Sequence, residues 1–554
     1  MKTIMKSHNK IVQAFMFASL LTCGACTDLS DTVYSEITEE SFSKNPSSIN
    51  LLIGKVYTSI GTYIAATNPN FSPFYYNVCT TDEMFIPFRN VTKEWNNAKF
   101  SDAYQHSWTP TTQDLDKNWE KCFGIITSAN MAIDQVNSFD GMEQHLKDVT
   151  IAEIRMARAY AYYLLIDLWG DVPYTVSSSD KTSDIKKKTS AEIYNLMMKE
   201  FDDCLPLLKE AKKDKSTTYG KFNYWAALAL KAKYLLNAKI FLETDRVNPK
   251  YADEKTGLDE CIDICDELMS PEAGFELEKD YFTNFKAHNE NSKENIFVIP
   301  FDAVYSKDNF TLGFGYARHC LHASQTPVYN GTVNGQNGFS VYPSLYKTFE
   351  DFDVRKNGLN AGPQFDASGK PLKCIKAQMK NPDGTFMDLD FKVDFDINNC
   401  DEMSGARFQK YEYENGIITD AMNNDFVVVR LADIMMMKAE CLMRLADGQA
   451  TQEAVDLVNE VCNRSISDPS RYDFYDTSNL TMDALLEERR REFYGEALRR
   501  TDLIRFEKFT DMDWVDDIHM DRSKIRTEKY RTVFPLPANY LKTAPQIEQH
   551  PYYQ

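Results

Sequence analysis

Helical periodicity is the feature that most constrains this chain. Between Ile151 and Trp169, the apolar residues Ile154, Ala157, Ala161, Leu164, Leu165 and Leu168 recur at three- and four-residue spacings. That spacing puts them on one face of a helix and excludes a half-buried strand, whose period is two. Gly170 follows, then Asp171-Val172-Pro173, so the helix is expected to stop at Trp169. Further helices are expected over Pro46 to Tyr63, Gln113 to Val136, Thr189 to Leu208, Phe222 to Leu242, Val427 to Leu445, Gln449 to Arg464 and Met482 to Phe509. Thr189 and Glu192 stand at capping-box spacing. Phe222 to Leu242 carries Ala226, Ala227, Ala229, Ala232 and Ala238, and small residues on a helix face let a partner helix approach closely.

Helices therefore dominate the first half and return at the end, and stacked helical hairpins are the expected arrangement. No strict 34-residue self-similarity accompanies them, so the sequence does not describe a regular tetratricopeptide array. Between the two helical blocks, roughly Asn291 to Thr419, the pattern changes to glycine, asparagine, proline and aromatics. Asn330-Gly331, Asn334-Gly335, Asn337-Gly338 and Asp383-Gly384 are turn signals, and Ile296 to Phe301 reads as a short strand. The fold class expected is mainly α: a helical scaffold over about 41–290 and 420–554, with a loop-rich insertion carrying short strands over about 291–419.

The N-terminus reads as a targeting segment. Lys2, Lys6 and Lys10 precede an apolar stretch from Ile11 to Thr22, too short to cross a bilayer, which takes about 20 apolar residues. Leu21-Thr22-Cys23-Gly24-Ala25-Cys26 then has the form of a bacterial lipoprotein signal, in which a cysteine after small residues is acylated. Spacing leaves Cys23 and Cys26 in competition: Leu20 suits Cys23, and Gly24-Ala25 suits Cys26. With Cys26 as the acylated residue, residues 1–25 are the signal peptide and 26–554 a single domain.

Charge narrows the partners. The formal net charge is −20, and loss of the three signal lysines makes it more negative, which disfavours nucleic acid and anionic lipid. Of the twelve cysteines, those past Cys26 form no CxxC pair. Cys261 and Cys265 share a helix face but lack the further ligands a zinc site needs, so the cysteines read as buried thiols or an occasional disulfide. For an enzyme, the support is His319 and His322, three apart; HExxH, GxSxG and Walker loops are missing. In Glu487 to Arg505, Glu487 with Arg491 and Glu496 with Arg500 stand four apart, as for ion pairs along one helix.

The best binding constellation runs from Asp82 through Phe88-Arg89 to Trp95-Asn96-Asn97. An indole flanked by Lys93-Glu94 and two amides suits the apolar face of a sugar ring, with Arg89 and Asn97 to hydrogen-bond hydroxyls. The alternative is that Trp95 packs under its own loop. Phe310, Phe314, Tyr316 and Tyr329 form a second aromatic cluster, read either as an opposite wall of the site or as a local core. Trp108, Trp119 and Trp169 read as structural.

Several stretches resemble the SusD family of nutrient-binding outer-membrane lipoproteins. They are Arg158 to Tyr174 (Arg-Ala-Tyr-Ala-Tyr-Tyr-Leu-Leu-Ile-Asp-Leu-Trp-Gly-Asp-Val-Pro-Tyr), Leu431-Ala-Asp-Ile434 with Lys438-Ala-Glu440, Glu488 to Arg499 with Asp502 to Arg505, Phe534-Pro-Leu-Pro537, and Gln549 to Tyr553. Cys26 to Asp31 resembles the family's mature start and selects Cys26 over Cys23. The resemblance implies an irregular tetratricopeptide-like scaffold without catalytic activity. It implies a surface lid over a SusC-like, TonB-dependent barrel that receives captured glycan, or peptide as in RagB-like branches. The starch-binding branch implies Arg89, Trp95 and Asn97 as ligand contacts; the loop Asn90 to Glu94 has fewer glycines and more charge than that branch. No cofactor is implied, and a structural calcium ion is left open.

Overall fold

The computed structural model describes residues 46–64, 73–89, 99–211, 215–251, 254–306 and 313–554. Its principal helices are α1 (Pro46–Ile64), α2 (Gln113–Ser138), α3 (Gln144–Trp169), α4 (Ser190–Glu210), α5 (Tyr224–Leu236), α6 (Leu258–Met269), α7 (Leu431–Leu445), α8 (Gln452–Asn463), α9 (Met482–Phe493) and α10 (Arg499–Arg505). From α1 to α8, each helix packs on the next in a continuous ladder. The ladder passes from α6 directly to α7, so residues 270–430 leave the stack and return to it. This is an irregular tetratricopeptide-like arrangement of helical hairpins bearing an insertion. Among the described residues, no helix is long and apolar enough to cross a membrane.

Local chemistry sets the helix ends. Glu143 caps α3 by accepting from the His145 and Leu146 N–H groups, and α3 stops at Gly170, whose φ of 71° favours glycine. At α4, Thr189 and Glu192 form the reciprocal capping box. Asn223 caps α5, where Ala226, Ala227, Ala229 and Ala232 are buried against neighbouring helices. Trp108, Trp119 and Trp169 are core residues, and Trp169 Nε1 donates to the Pro535 carbonyl at 3.1 Å. Each fully buried large apolar side chain contributes about 1.5–3 kcal/mol.

Three expected helices differ. Residues 426–430 are a strand, not the start of α7: β-branched Val427-Val428-Val429 pair antiparallel with Asn295–Ile299, and the helix begins only at Leu431. The alanine-rich helix breaks at Asn237, and a short helix, Ala238–Phe241, follows. The helix expected over Met482 to Phe509 is α9 and α10 with a turn between them. Gly495 in that turn has φ 76°, and a Cβ there would meet the Phe408 ring at 2.2 Å, so the close approach of the insertion requires glycine.

The insertion contains short strands and 3-10 turns. We label the strands used below β1 (Met84–Phe85), β2 (Asn295–Ile299), β3 (Ser340–Val341) and β4 (Phe426–Arg430). β1 pairs antiparallel with β3, and β2 with β4. One hydrophobic core runs through the helices and into the insertion; a second fills α7 to α9; a small third, with Cys374, Met379, Leu389, Phe391 and Met403, belongs to the insertion alone.

Candidate functional site

The stretch Asp82 to Arg89 crosses from the helical scaffold into the insertion. Asp82 is held by Arg499 through two bonds of 2.8 and 2.7 Å, with Arg490 Nε at 3.3 Å. Beside it, the buried Glu83 accepts the Gly495 N–H at 3.0 Å. β1 then pairs with β3, which delivers Arg89 to the turn at Asn337-Gly338.

Arg89 is fully buried. Its Nε and Nη2 donate to the Asn337 carbonyl at 3.1 and 2.8 Å, Nη2 also to the Gly338 carbonyl at 3.2 Å, and Nη1 to the Asp401 carbonyl at 3.0 Å. This corrects the sequence expectation that Arg89 presents hydrogen bonds to a ligand. A buried guanidinium must satisfy its donors internally, and Asn337, in the left-handed region at φ 53°, supplies a carbonyl for the purpose. Arg89 is therefore an anchor for the chain that follows it. Trp95, Asn96 and Asn97 lie outside the described residues, as do Cys26 and Phe310. On the far side, Lys99 pairs with Asp114 of α2 at 2.8 Å. Both flanks of the Trp95 stretch are thus tied to the scaffold.

The second aromatic cluster resolves toward its core reading. Phe314 and Tyr316 are buried, so neither can form an open wall, which corrects their expected place in the ligand site. Rings pack in sequence from Phe301 to Phe314 (5.4 Å between centroids), Tyr316 (6.3 Å) and Phe339 (5.5 Å). Tyr316 Oη donates to Met84 Sδ at 3.3 Å. Ring faces already in van der Waals contact have no surface left for a sugar. Tyr329 is half-buried against Tyr413 and receives a bond from Gln409.

His319 and His322 are both buried and serve different partners. His319 Nδ1 bonds the Tyr75 hydroxyl at 2.5 Å. His322 Nδ1 accepts the Ser324 N–H at 3.0 Å, which leaves Nε2 facing Glu402 at 3.3 Å. Burial lowers the His322 pKa from its ordinary value, against the opposing pull of Glu402. Among the described residues, no group of three or more His, Cys, Asp or Glu is placed to hold a metal ion. The ten described cysteines are free and buried.

Sequence reasoning missed the residues that build this framework. Asn337 read only as a turn signal, yet its carbonyl holds Arg89, its Oδ1 accepts from Arg407 Nε at 2.7 Å, and its Nδ2 donates to Glu402 at 2.8 Å. The missing signal was tertiary: nothing in residues 337 and 402 alone announces a shared arginine.

The charged run 487–505 is a buried ionic rivet. Its partners are not the expected i,i+4 ones, because i,i+3 neighbours and groups from other elements take them instead. Glu487 pairs with Arg499 at 2.9 Å and Arg490 at 3.5 Å, Arg491 with Glu488, Glu496 with Arg430 at 2.9 Å, and Arg500 with Asp167 at 3.5 Å. Glu492 lies among Arg430 (2.7 Å), Arg355 (3.1 Å) and Arg464. Burial raises its pKa, but the three guanidinium charges outweigh that and hold it at about 2. Arg355 and Arg430 come from the insertion and its return strand, so the network locks the insertion onto α9.

Fold and site together define a class: a helical-hairpin scaffold with a rigidly attached insertion that holds, at Arg89, the start of a tethered segment. The family model described as SusD family matches residues 293–553, and the model described as starch-binding associating with outer membrane matches residues 32–236. The chain belongs to the SusD family. SusD-like protein P25 of Formosa agariphila is 22% identical over 98% of this chain and 98% of its own length. Starch-binding protein SusD of Bacteroides thetaiotaomicron is 23% identical over 81% of this chain and 80% of its own. In fold, the chain resembles surface glycan-binding protein A from Bacteroides thetaiotaomicron, solved with laminarihexaose, at TM-score 0.66 and 18% identity, covering 91% of this chain and 99% of that one. A SusD homolog from the same species gives TM-score 0.69 at 17% identity, covering 93% and 99%.

Proposed function

We propose that this chain is a non-catalytic glycan-binding lipoprotein of the outer membrane, acylated at Cys26 and facing the cell exterior. It captures an oligosaccharide and passes it to a SusC-like TonB-dependent transporter. The observation that carries the reading is the match along nearly the whole chain to SusD relatives, among them a protein named for starch binding. The site geometry is compatible with it. Arg89 and Lys99 tie down both flanks of the stretch containing Trp95, Asn96 and Asn97. In this reading Trp95 is the stacking platform, Asn96 and Asn97 are hydrogen-bonding groups, and Arg89 anchors the chain that leads to them. His319 and His322 support no hydrolytic role, since both are committed to core contacts. The binding role invokes no cofactor.

Calorimetry against a panel of neutral oligosaccharides, with Trp95→Ala alongside wild type, tests the proposal. Loss of about 1–3 kcal/mol of binding free energy in the variant is expected for removal of a stacking ring. Unchanged affinity in Trp95→Ala would sink the site assignment. Binding of oligopeptides with no glycan bound would replace the cargo. Release of reducing ends by the purified protein would overturn the non-catalytic reading.

A further inference from the structure

An open groove of about 310 Å³ lies between α1 and the chain leaving β2, away from the Arg89 anchor. That volume is at the lower end of small-ligand sites. Its floor is apolar, with the largely buried Ile60 and Ile299, and Gly54 and Gly61 of α1 also line it. These glycines stand two helical turns apart on one face. A Cβ on Gly54 would meet nothing within 4 Å, and one on Gly61 would meet only Ile299 Cγ2 at 3.9 Å. Glycine inside a helix costs about 1 kcal/mol relative to alanine, and no internal contact here requires it. The effect of both is to keep the floor clear.

The rim supplies the other half of a sugar site. Tyr305 lines the groove and is 87% exposed, the most exposed large hydrophobic ring among the described residues. Asp302 lines the same edge, where its Oδ1 accepts the Val304 and Tyr305 N–H groups at 2.7 and 3.1 Å, which fixes the carboxylate beside the ring. Thr58 of α1 also lines the groove. An apolar floor, one bare ring and a few oriented polar groups match the two faces of a pyranose. Asp302, together with the net charge of −20, repels uronates and sulfated sugars, which leaves neutral glycans. The ring column from Phe301 through Phe314 and Tyr316 to Phe339 runs from this groove to Gly338 beside Arg89, so both places are seated on one rigid core.

We propose that the α1–β2 groove is a second contact site for neutral oligosaccharide, with Tyr305 as its ring and Asp302 and Thr58 as its hydrogen-bonding edge. It rests on the glycan-capture reading and adds a site to it. The test is calorimetry with laminarihexaose and with maltohexaose, using full-length protein. Tyr305→Ala removes the ring. Gly54→Phe fills the groove from a helix position where an added Cβ meets nothing within 4 Å, and Gly54→Ala is the control that leaves it open. Matching thermal melts establish that each variant is folded. Tyr305→Ala and Gly54→Phe are each expected to weaken hexasaccharide binding about three- to ten-fold, with Gly54→Ala near wild type. Unchanged affinity in both, in a protein whose binding falls on Trp95→Ala, overturns the groove and leaves the capture reading standing. Failure of wild type to bind any neutral glycan overturns both.

Discussion

Glu83 gives a sharp test of how the scaffold and insertion are joined. Its carboxyl is buried; Oε2 accepts the Gly495 N–H, and Oε1 has no partner among the described residues. Arg490 and Arg499 are close, but both are committed to Asp82. Burial, and then the Asp82 carboxylate, push the Glu83 pKa from 4.5 up to about 8. The unfolded chain therefore releases this proton near pH 4.5 while the folded protein keeps it. Stability from Glu83 is fully present below pH 4.5 and is lost as pH rises through about 8, at about 1.4 kcal/mol per pH unit. By pH 7 the loss is roughly 3 kcal/mol. Glu83→Gln keeps the carbonyl acceptor for Gly495 and cannot ionise. Urea unfolding of both proteins at pH 5, 6 and 7 reads the difference. The variant is expected to gain on wild type at each step, by about 1.4 kcal/mol per unit. A difference that does not change with pH would refute the reasoning, because it would mean that Glu83 titrates alike in both states.

Other outcomes follow from the same geometry. Glu492→Gln strips Arg355, Arg430 and Arg464 of a shared carboxylate and is expected to cost about 3–5 kcal/mol in urea unfolding at pH 7. Because Glu492 is held at about 2, its contribution is present above pH 4.5 and lost as pH falls toward 2, so the gap between wild type and variant should close in acid. Arg89→Ala leaves the carbonyls of Asn337, Gly338 and Asp401 without their donor; a loss of about 2–4 kcal/mol by thermal or urea unfolding is expected, together with weaker oligosaccharide binding. The ten buried thiols should resist a disulfide reagent in the folded protein and react together on unfolding, as read by absorbance.

Helix periodicity was legible because each helix buries one stripe, and the stripe is written locally in the chain. The capping box at Thr189 and the stop at Gly170 were legible for the same reason. Val427 to Val429 misled because an apolar β-branched run suits a buried helix or a buried strand, and only the partner at 295–299 decides. The i,i+4 pairs in 487–505 misled because groups from far along the chain, such as Arg430 and Asp167, take the partners instead. Among site residues, Arg89 was found but its role was inverted: sequence marks a charged residue near a tryptophan, not the carbonyls that surround it. Tyr305 passed unnoticed as one tyrosine in a loop, since exposure beside a groove is a property of the packed molecule.

By itself, the sequence determined the mainly helical scaffold and the family, both of which rest on residues near one another in the chain. Tertiary structure alone decided that Phe314 and Tyr316 are core, that His319 and His322 serve separate partners, that Arg89 anchors from within, and that a groove opens beside α1. The reason is physical. Helix propensity and caps act over a few residues, whereas burial, desolvation and the pairing of charges depend on groups brought together from distant parts of the chain.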